Sequence, residues 1–179
     1  MLLLTLRGTP FLYAGEELGL EDAVVPPEQV EDPAGFRDGC RAPVPWEPGP
    51  DHGWTGATPW LPWPPDTDRR NAAVLRDDPE SILHLVRRTL AARRASPALR
   101  EGAMALLPAG AGEADVLAWE RSAGDDRRVV AVSFAAEPRS WSPPAGEWAV
   151  EVSSAATDRE GGAFAGVLEP HEAVVLRPV

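Results

Sequence analysis

The 179 residues carry a formal net charge of −11, and all seventeen basic residues are arginine. That charge repels phosphate backbones and anionic lipid heads, so nucleic acid and membrane surfaces are poor partners, while a neutral substrate or a protein fits. The single Cys40 excludes an internal disulfide framework and a cysteine-rich zinc site.

The opening MLLLTLR has neither the basic start nor the cleavage site of a signal peptide, and no apolar run approaches the roughly 20 residues of a membrane span. A cytoplasmic location is the expectation. Met1 to Leu6 read as the end of a helix, Arg7-Gly8 as its stop, and Pro10 to Ala14 as a strand buried on both faces. The run breaks at Gly15 into Glu16 and Glu17.

Residues 21–78 hold most of the prolines together with four tryptophans, and show little periodicity. Such long irregular stretches in compact domains are functional or disordered, and the aromatics argue against disorder. Pro79 is a helix-start residue, and Ile82, Leu83, Leu85, Val86, Leu90 and Ala91 keep helical spacing to Ala95, where Ser96-Pro97 ends the helix. Short apolar stretches follow at Ala103–Leu107, Val116–Glu120, Val129–Phe134, Trp148–Val152 and Ala173–Leu176. Turn signals between them predict a small antiparallel sheet or sandwich.

Three blocks in order, TLRGTPFLYAGEELGL, GFRDGCRAPVPW and RRNAAVLRDDPESILHLVRRTLAARRASPAL, resemble the C-terminal part of alpha-glucosidases of the alpha-amylase family. Those enzymes typically read close to GTPFLYYGEE and RDGCRTPMPW, so Ala14, Ala42 and Val44 are departures, as are Ala72 and Leu75 in the third block. The resemblance implies an α+β chain: the last strand and helix of a (β/α)8 barrel in residues 1–101, then an antiparallel β-sandwich domain in 102–179. It also implies retaining hydrolysis of terminal alpha-linked glucose from oligosaccharides, chemistry that needs no cofactor. The loop from Ala14 to Asp78 then lies at the C-terminal face of the strands, where barrel active sites sit.

Retaining glycosidases place two carboxyl groups about 5–5.5 Å apart across one glycosidic bond. The resemblance implies that the catalytic Asp, Glu and second Asp belong to barrel strands preceding Met1, and their motifs are absent from the sequence. Glu16 and Glu17 do not replace them, because neighbouring side chains project to opposite faces of a strand and diverge by roughly 100° on a helix. They read as helix-start or arginine-pairing acids. No catalytic residue is therefore assigned.

Arg37 and Arg41 of RDGCR are the candidate substrate-binding residues, Arg37 slightly ahead. The resemblance implies that an arginine of this motif holds the sugar beside the cleaved bond, and a guanidinium offers several fixed donors for hydroxyls. The alternative is that both tie the loop together through Asp38 and backbone carbonyls. Trp46, Trp54, Trp60 and Trp63 either present faces to sugar rings or pack the loop.

His52, His84 and His171 are too scattered for a metal or a base, and DTDRRN at 66–71 lacks the glycine and glutamate of a calcium loop. No metal site is assigned. Cys40 reads as a small buried residue.

Three functions follow. The chain is an alpha-glucosidase piece inactive alone, one chain of a split glycosidase completed by an N-terminal barrel fragment, or a carbohydrate-binding module built on Trp119, Trp141 and Trp148.

Overall fold

In the computed structural model, which describes residues 1–34, 37–108 and 115–179, four helices precede a sheet domain. Gly35 and Phe36 of the GFRDGCR block lie outside the described residues. By contacts the chain forms two compact units, Met1–Phe11 with Leu85–Val179, and Leu12–His84.

The first unit is built on five antiparallel strands: β1 (Ala103–Leu107), β2 (Val116–Ala123), β3 (Asp126–Ser133), β5 (Trp148–Ser153) and β7 (Ala173–Pro178). Their spatial order is β1-β2-β3-β7-β5, and a two-stranded ribbon pairs β4 (Arg139–Ser140) with β6 (Val167–Leu168). β2 and β3 extend beyond the apolar stretches that announced them, because Arg121 pairs with Arg128 and Ala123 with Asp126 across a tight turn at Gly124-Asp125. Gly124 has a φ of 58°, the positive value such two-residue turns favour.

Both faces of this sheet are buried. Val129 and Ala131 of β3 and Val174 and Leu176 of β7 join Trp141, Trp148 and Leu168 on one face. Val130, Val132, Ala173 and Val175, offset by one residue, join Trp119, Ala92 and Leu99 on the other. The period of two along a strand thus sorts one continuous apolar run into two cores. A register shift between Val150 and Val152 flips the phase of β5, so that Val150 belongs to the first core and Val152 to the second.

Helices α1 (Leu2–Thr5), α3 (Ile82–Ala95) and α4 (Pro97–Glu101) supply Leu2, Ala92 and Leu99 to the second core. Ser96-Pro97 does end α3, but it also starts α4: the Ser96 hydroxyl accepts from the Leu99 N–H and Pro97 takes the first turn, where its missing N–H costs nothing. Ser96 also donates to Asp126 at 2.5 Å, tying α4 to the start of β3. Gly102 follows because a Cβ there would lie 2.5 Å from the Ala98 carbonyl oxygen and 2.6 Å from that of Ser122.

The expected buried strand at Pro10 to Ala14 does not form. The segment has no assigned strand, and Phe11, Leu12 and Tyr13 are 82%, 43% and 52% exposed. A strand of this kind needs a partner along each edge, and no described strand pairs with it.

The unit Leu12–His84 is mostly irregular, as its prolines demand, but contains a helix that periodicity did not reveal, α2 (Ala72–Asp77). Asn71 caps it by accepting from the Val74 N–H, and its amide donates to the carbonyls of Thr67 and Asp68. The DTDRRN stretch is therefore the approach to a capped helix. A small core of Leu18, Ala72 and Leu83 holds it.

Candidate functional site

The RDGCR block begins from a close backbone approach. Gly39 runs against Ala23: the Ala23 N–H donates to the Gly39 carbonyl at 3.1 Å, and a Cβ on Gly39 would meet the Ala23 oxygen at 2.7 Å. Only glycine fits there. Gly39–Arg41 form one 3₁₀ turn that presents Arg37 and Arg41 from either end.

Two buried carboxylates anchor the block. Asp38, 2% exposed, accepts the N–H groups of Asp32 and Glu31 at 2.8 Å each, and Arg41 pairs with it at 3.2 Å. The Asp32 N–H, with help from the Glu31 N–H and the Arg41 charge, holds the Asp38 carboxyl below its ordinary value despite the cost of burial. Asp32, 5% exposed, takes both Nε and Nη2 of Arg37, the latter at 2.5 Å, and this pairing raises the Arg37 guanidinium above its usual value.

Each arginine is thus oriented by a buried acid while its own side chain stays open, 52% exposed for Arg37 and 42% for Arg41. Asp32 is the residue that sequence reasoning missed. It lies five positions before Arg37, outside the quoted block, in a Glu-Asp-Pro stretch that resembles any acidic loop. Cys40 is exposed rather than buried, its Sγ 3.0 Å from the Arg37 carbonyl oxygen. The turn spends its inward direction on Asp38 and Gly39, which turns Cys40 out.

The tryptophans divide two and two. Trp63 meets His52 and Trp54 edge-on, at 4.5 and 6.0 Å between ring centroids, and the Trp54 indole N–H donates to the Val44 carbonyl, so these two pack the loop. Trp46 and Trp60 are 53% and 56% exposed. Trp60, Trp54, Pro43 and Arg41 line a shallow cleft of about 70 Å³, which brings one candidate arginine beside one open indole face.

Glu16 and Glu17 are occupied by the backbone. Gly15 turns the chain with a φ of 100°, Glu17 accepts the Gly15 N–H at 2.9 Å, and Glu16 accepts the Tyr13 N–H at 3.2 Å. His52 bonds Thr67 and His84 bonds the Arg76 carbonyl, each at a different place in the fold. Among the described residues no cluster of three or more His, Cys, Asp or Glu side chains could hold a metal ion, and no helix is long and apolar enough to cross a membrane.

The family described as alpha amylase, catalytic domain, matches residues 1–102. A probable alpha-glucosidase of Rhizobium meliloti is 42% identical over 134 residues, covering 70% of this chain and 24% of the relative. The trehalose synthase/amylase TreS of Mycobacterium tuberculosis is 38% identical over 137 residues, covering 72% and 21%. Among solved structures, the trehalulose synthase MutB of Pseudomonas mesoacidophila superposes with a TM-score of 0.83 at 29% identity, over 98% of this chain and 36% of that one. The alpha-glucosyl transfer enzyme XgtA gives 0.80 at 36% identity, over 99% and 34%. The chain therefore spans about a quarter of the length of these curated relatives, at 24% and 21%. With more than half of its residues inside the matched catalytic domain, it belongs to the alpha-amylase family.

Proposed function

We propose that this chain supplies one wall of the sugar pocket of an alpha-glucosidase and does not hydrolyse glycosides alone. In this reading residues 1–101 are the last slice of a (β/α)8 barrel and residues 102–179 its C-terminal β-sandwich domain. The parent reaction is retaining hydrolysis of terminal alpha-linked glucose from oligosaccharides. The observation that carries the reading is the pairing of two open guanidinium groups, Arg37 and Arg41, with two buried carboxylates, while Glu16 and Glu17 are committed to backbone N–H groups.

Arg37 and Arg41 are sugar-binding residues. A guanidinium whose direction is fixed by one acid keeps further N–H donors for hydroxyls, and little rotamer freedom is left to lose on binding. The acids Asp32 and Asp38 position them and do no bond-breaking. Two carboxylates facing each other across a glycosidic oxygen are required for cleavage, and Glu16 and Glu17, held by backbone N–H groups, do not supply them.

A split glycosidase is the second reading, favoured by the exposure of Phe11, Leu12 and Tyr13 in a segment written as a buried strand. Preceding barrel strands carried on a separate chain would cover these side chains. The carbohydrate-binding module fares worse, because Trp119, Trp141 and Trp148 are 0%, 2% and 5% exposed and offer no platform.

Co-expression with a polypeptide carrying the preceding barrel strands of a relative tests the proposal. The expected result is a stable complex that hydrolyses an alpha-glucoside, with Arg41→Ala or Arg37→Ala raising KM. A complex whose activity ignores both substitutions removes the sugar-binding assignment.

A further inference from the structure

Of the twelve arginines in the sheet-bearing unit, some are paired with acids and others, Arg87, Arg94 and Arg177 among them, have no such pair among the described residues. Arg88, Arg127, Arg128, Arg139 and Arg159 each hold a carboxylate. Arg7, Arg93, Arg100 and Arg121 form no ion pair among the described residues, and their guanidinium groups turn to backbone oxygens where they bond at all. Arg93 donates to the carbonyls of Leu4, Gly8 and Arg100, and Arg121 to those of Thr5 and Gly102. Carbonyl dipoles satisfy N–H groups without cancelling a full charge.

This leaves a concentrated positive field. Arg121 is fully buried and its Nε has no hydrogen-bond partner. Burial, together with the nearby charges of Arg93 and Arg7, makes its proton easier to lose than usual. Buried cations without a counter-charge are costly, and an anion brought alongside relieves that cost.

A cleft of about 480 Å³ is lined by Arg7, Gly8, Thr9, Pro10, Arg93, Arg100 and Glu101, with Arg121 outside its lining. Three arginines against one glutamate give its lining a net double positive charge, on a chain that is strongly acidic overall. Arg93, 9% exposed, is fixed by carbonyls from the Gly8 and Arg100 segments, whereas Arg7 and Arg100 are exposed side chains, Arg100 donating to the Arg94 carbonyl at 2.8 Å.

We propose that this cleft binds a small dianionic oxyanion of the phosphate class, held by Arg7, Arg93 and Arg100. Planar guanidinium forks match pairs of phosphate oxygens, and a preset Arg93 lowers the ordering cost of the first contact. A carboxylate offers the same oxygen chemistry with half the charge, so it neutralises the lining only in part. The site stands apart from the sugar-pocket reading, since none of its residues belongs to the RDGCR block.

Calorimetric titration of the whole chain with inorganic phosphate at constant ionic strength tests the proposal, with acetate as a parallel ligand. Phosphate is expected to bind saturably and raise the thermal midpoint, with acetate at least about tenfold weaker. Arg7→Gln and Arg100→Gln, both at exposed positions, each weaken phosphate binding about tenfold with an unchanged circular dichroism spectrum. Arg177→Gln, also exposed but absent from the cleft, leaves binding intact. A non-saturable response, or one equal in wild type and the Arg7 and Arg100 variants, overturns the site. Acetate binding as tight as phosphate overturns the phosphate assignment in favour of a carboxylate.

Discussion

The sheet-bearing unit and the unit Leu12–His84 are held together by different means. In the first, valines and tryptophans fill two cores on opposite faces of one sheet, and Trp119, Val130 and Val175 are fully buried. In the second the apolar core is small, and the chain is stitched by buried carboxylates, capped turns and edge-on indoles around a glycine that must approach backbone closely. Apolar burial is non-directional and tolerant, whereas hydrogen-bonded stitching fixes the directions of individual side chains. The second arrangement suits a surface that must hold arginines in place.

Breaking the sheet should have the largest effect. Trp119→Ala removes a side chain that is 0% exposed and donates to the Thr5 carbonyl, and is expected to cost about 3–5 kcal/mol in a urea titration of the sheet unit. Asp38→Ala should act only on the other unit. It strips the partners from the Asp32 and Glu31 N–H groups and from Arg41, so limited proteolysis should accelerate between residues 31 and 41 while the sheet resists as before.

Acid should reproduce that second effect reversibly. The folded Asp38 carboxyl sits below its ordinary value of 3.8, so its stabilisation is complete above that pH and disappears as pH falls through the depressed folded value. Amide exchange at Glu31 and Asp32 should therefore be steady from neutral pH down to about 5, after allowing for intrinsic rates, and accelerate below about 4. In Asp38→Asn that acid dependence should shrink. The smallest expected effect is Cys40→Ser, within about 0.5 kcal/mol, because the thiol is exposed and its one contact is one a hydroxyl also makes.

The sequence made one of these units far more readable than the other. Runs such as Val129 to Val132 and Ala173 to Leu176 announce strands by composition alone, and the five long strands were expected at nearly their observed places. Their two-faced burial was hidden, since a continuous apolar run does not show which residue faces which core. The ribbon of β4 and β6 escaped because two-residue strands have no period.

In residues 12–84 the signals were chemical instead of periodic. Asn71 caps a helix of only six residues, Gly39 meets Ala23 sixteen positions away, and Asp32 pairs with Arg37 from an acidic stretch outside the recognisable block. The RDGCR block offered Asp38 as a tie for both arginines; the structure pairs it with Arg41 alone and gives Arg37 to Asp32, an acid outside the block. The strand expected at Pro10 to Ala14 shows the converse: composition suited to burial produces a strand only where neighbouring strands complete it.

Incubation of the purified chain with a chromogenic alpha-glucoside tests the central reading most directly. Release of the chromophore should not rise above the uncatalysed rate at any pH between about 5 and 8, where a retaining carboxylate pair would act. Robust turnover that persists through purification and vanishes on substituting one of the chain's own carboxylates would contradict it.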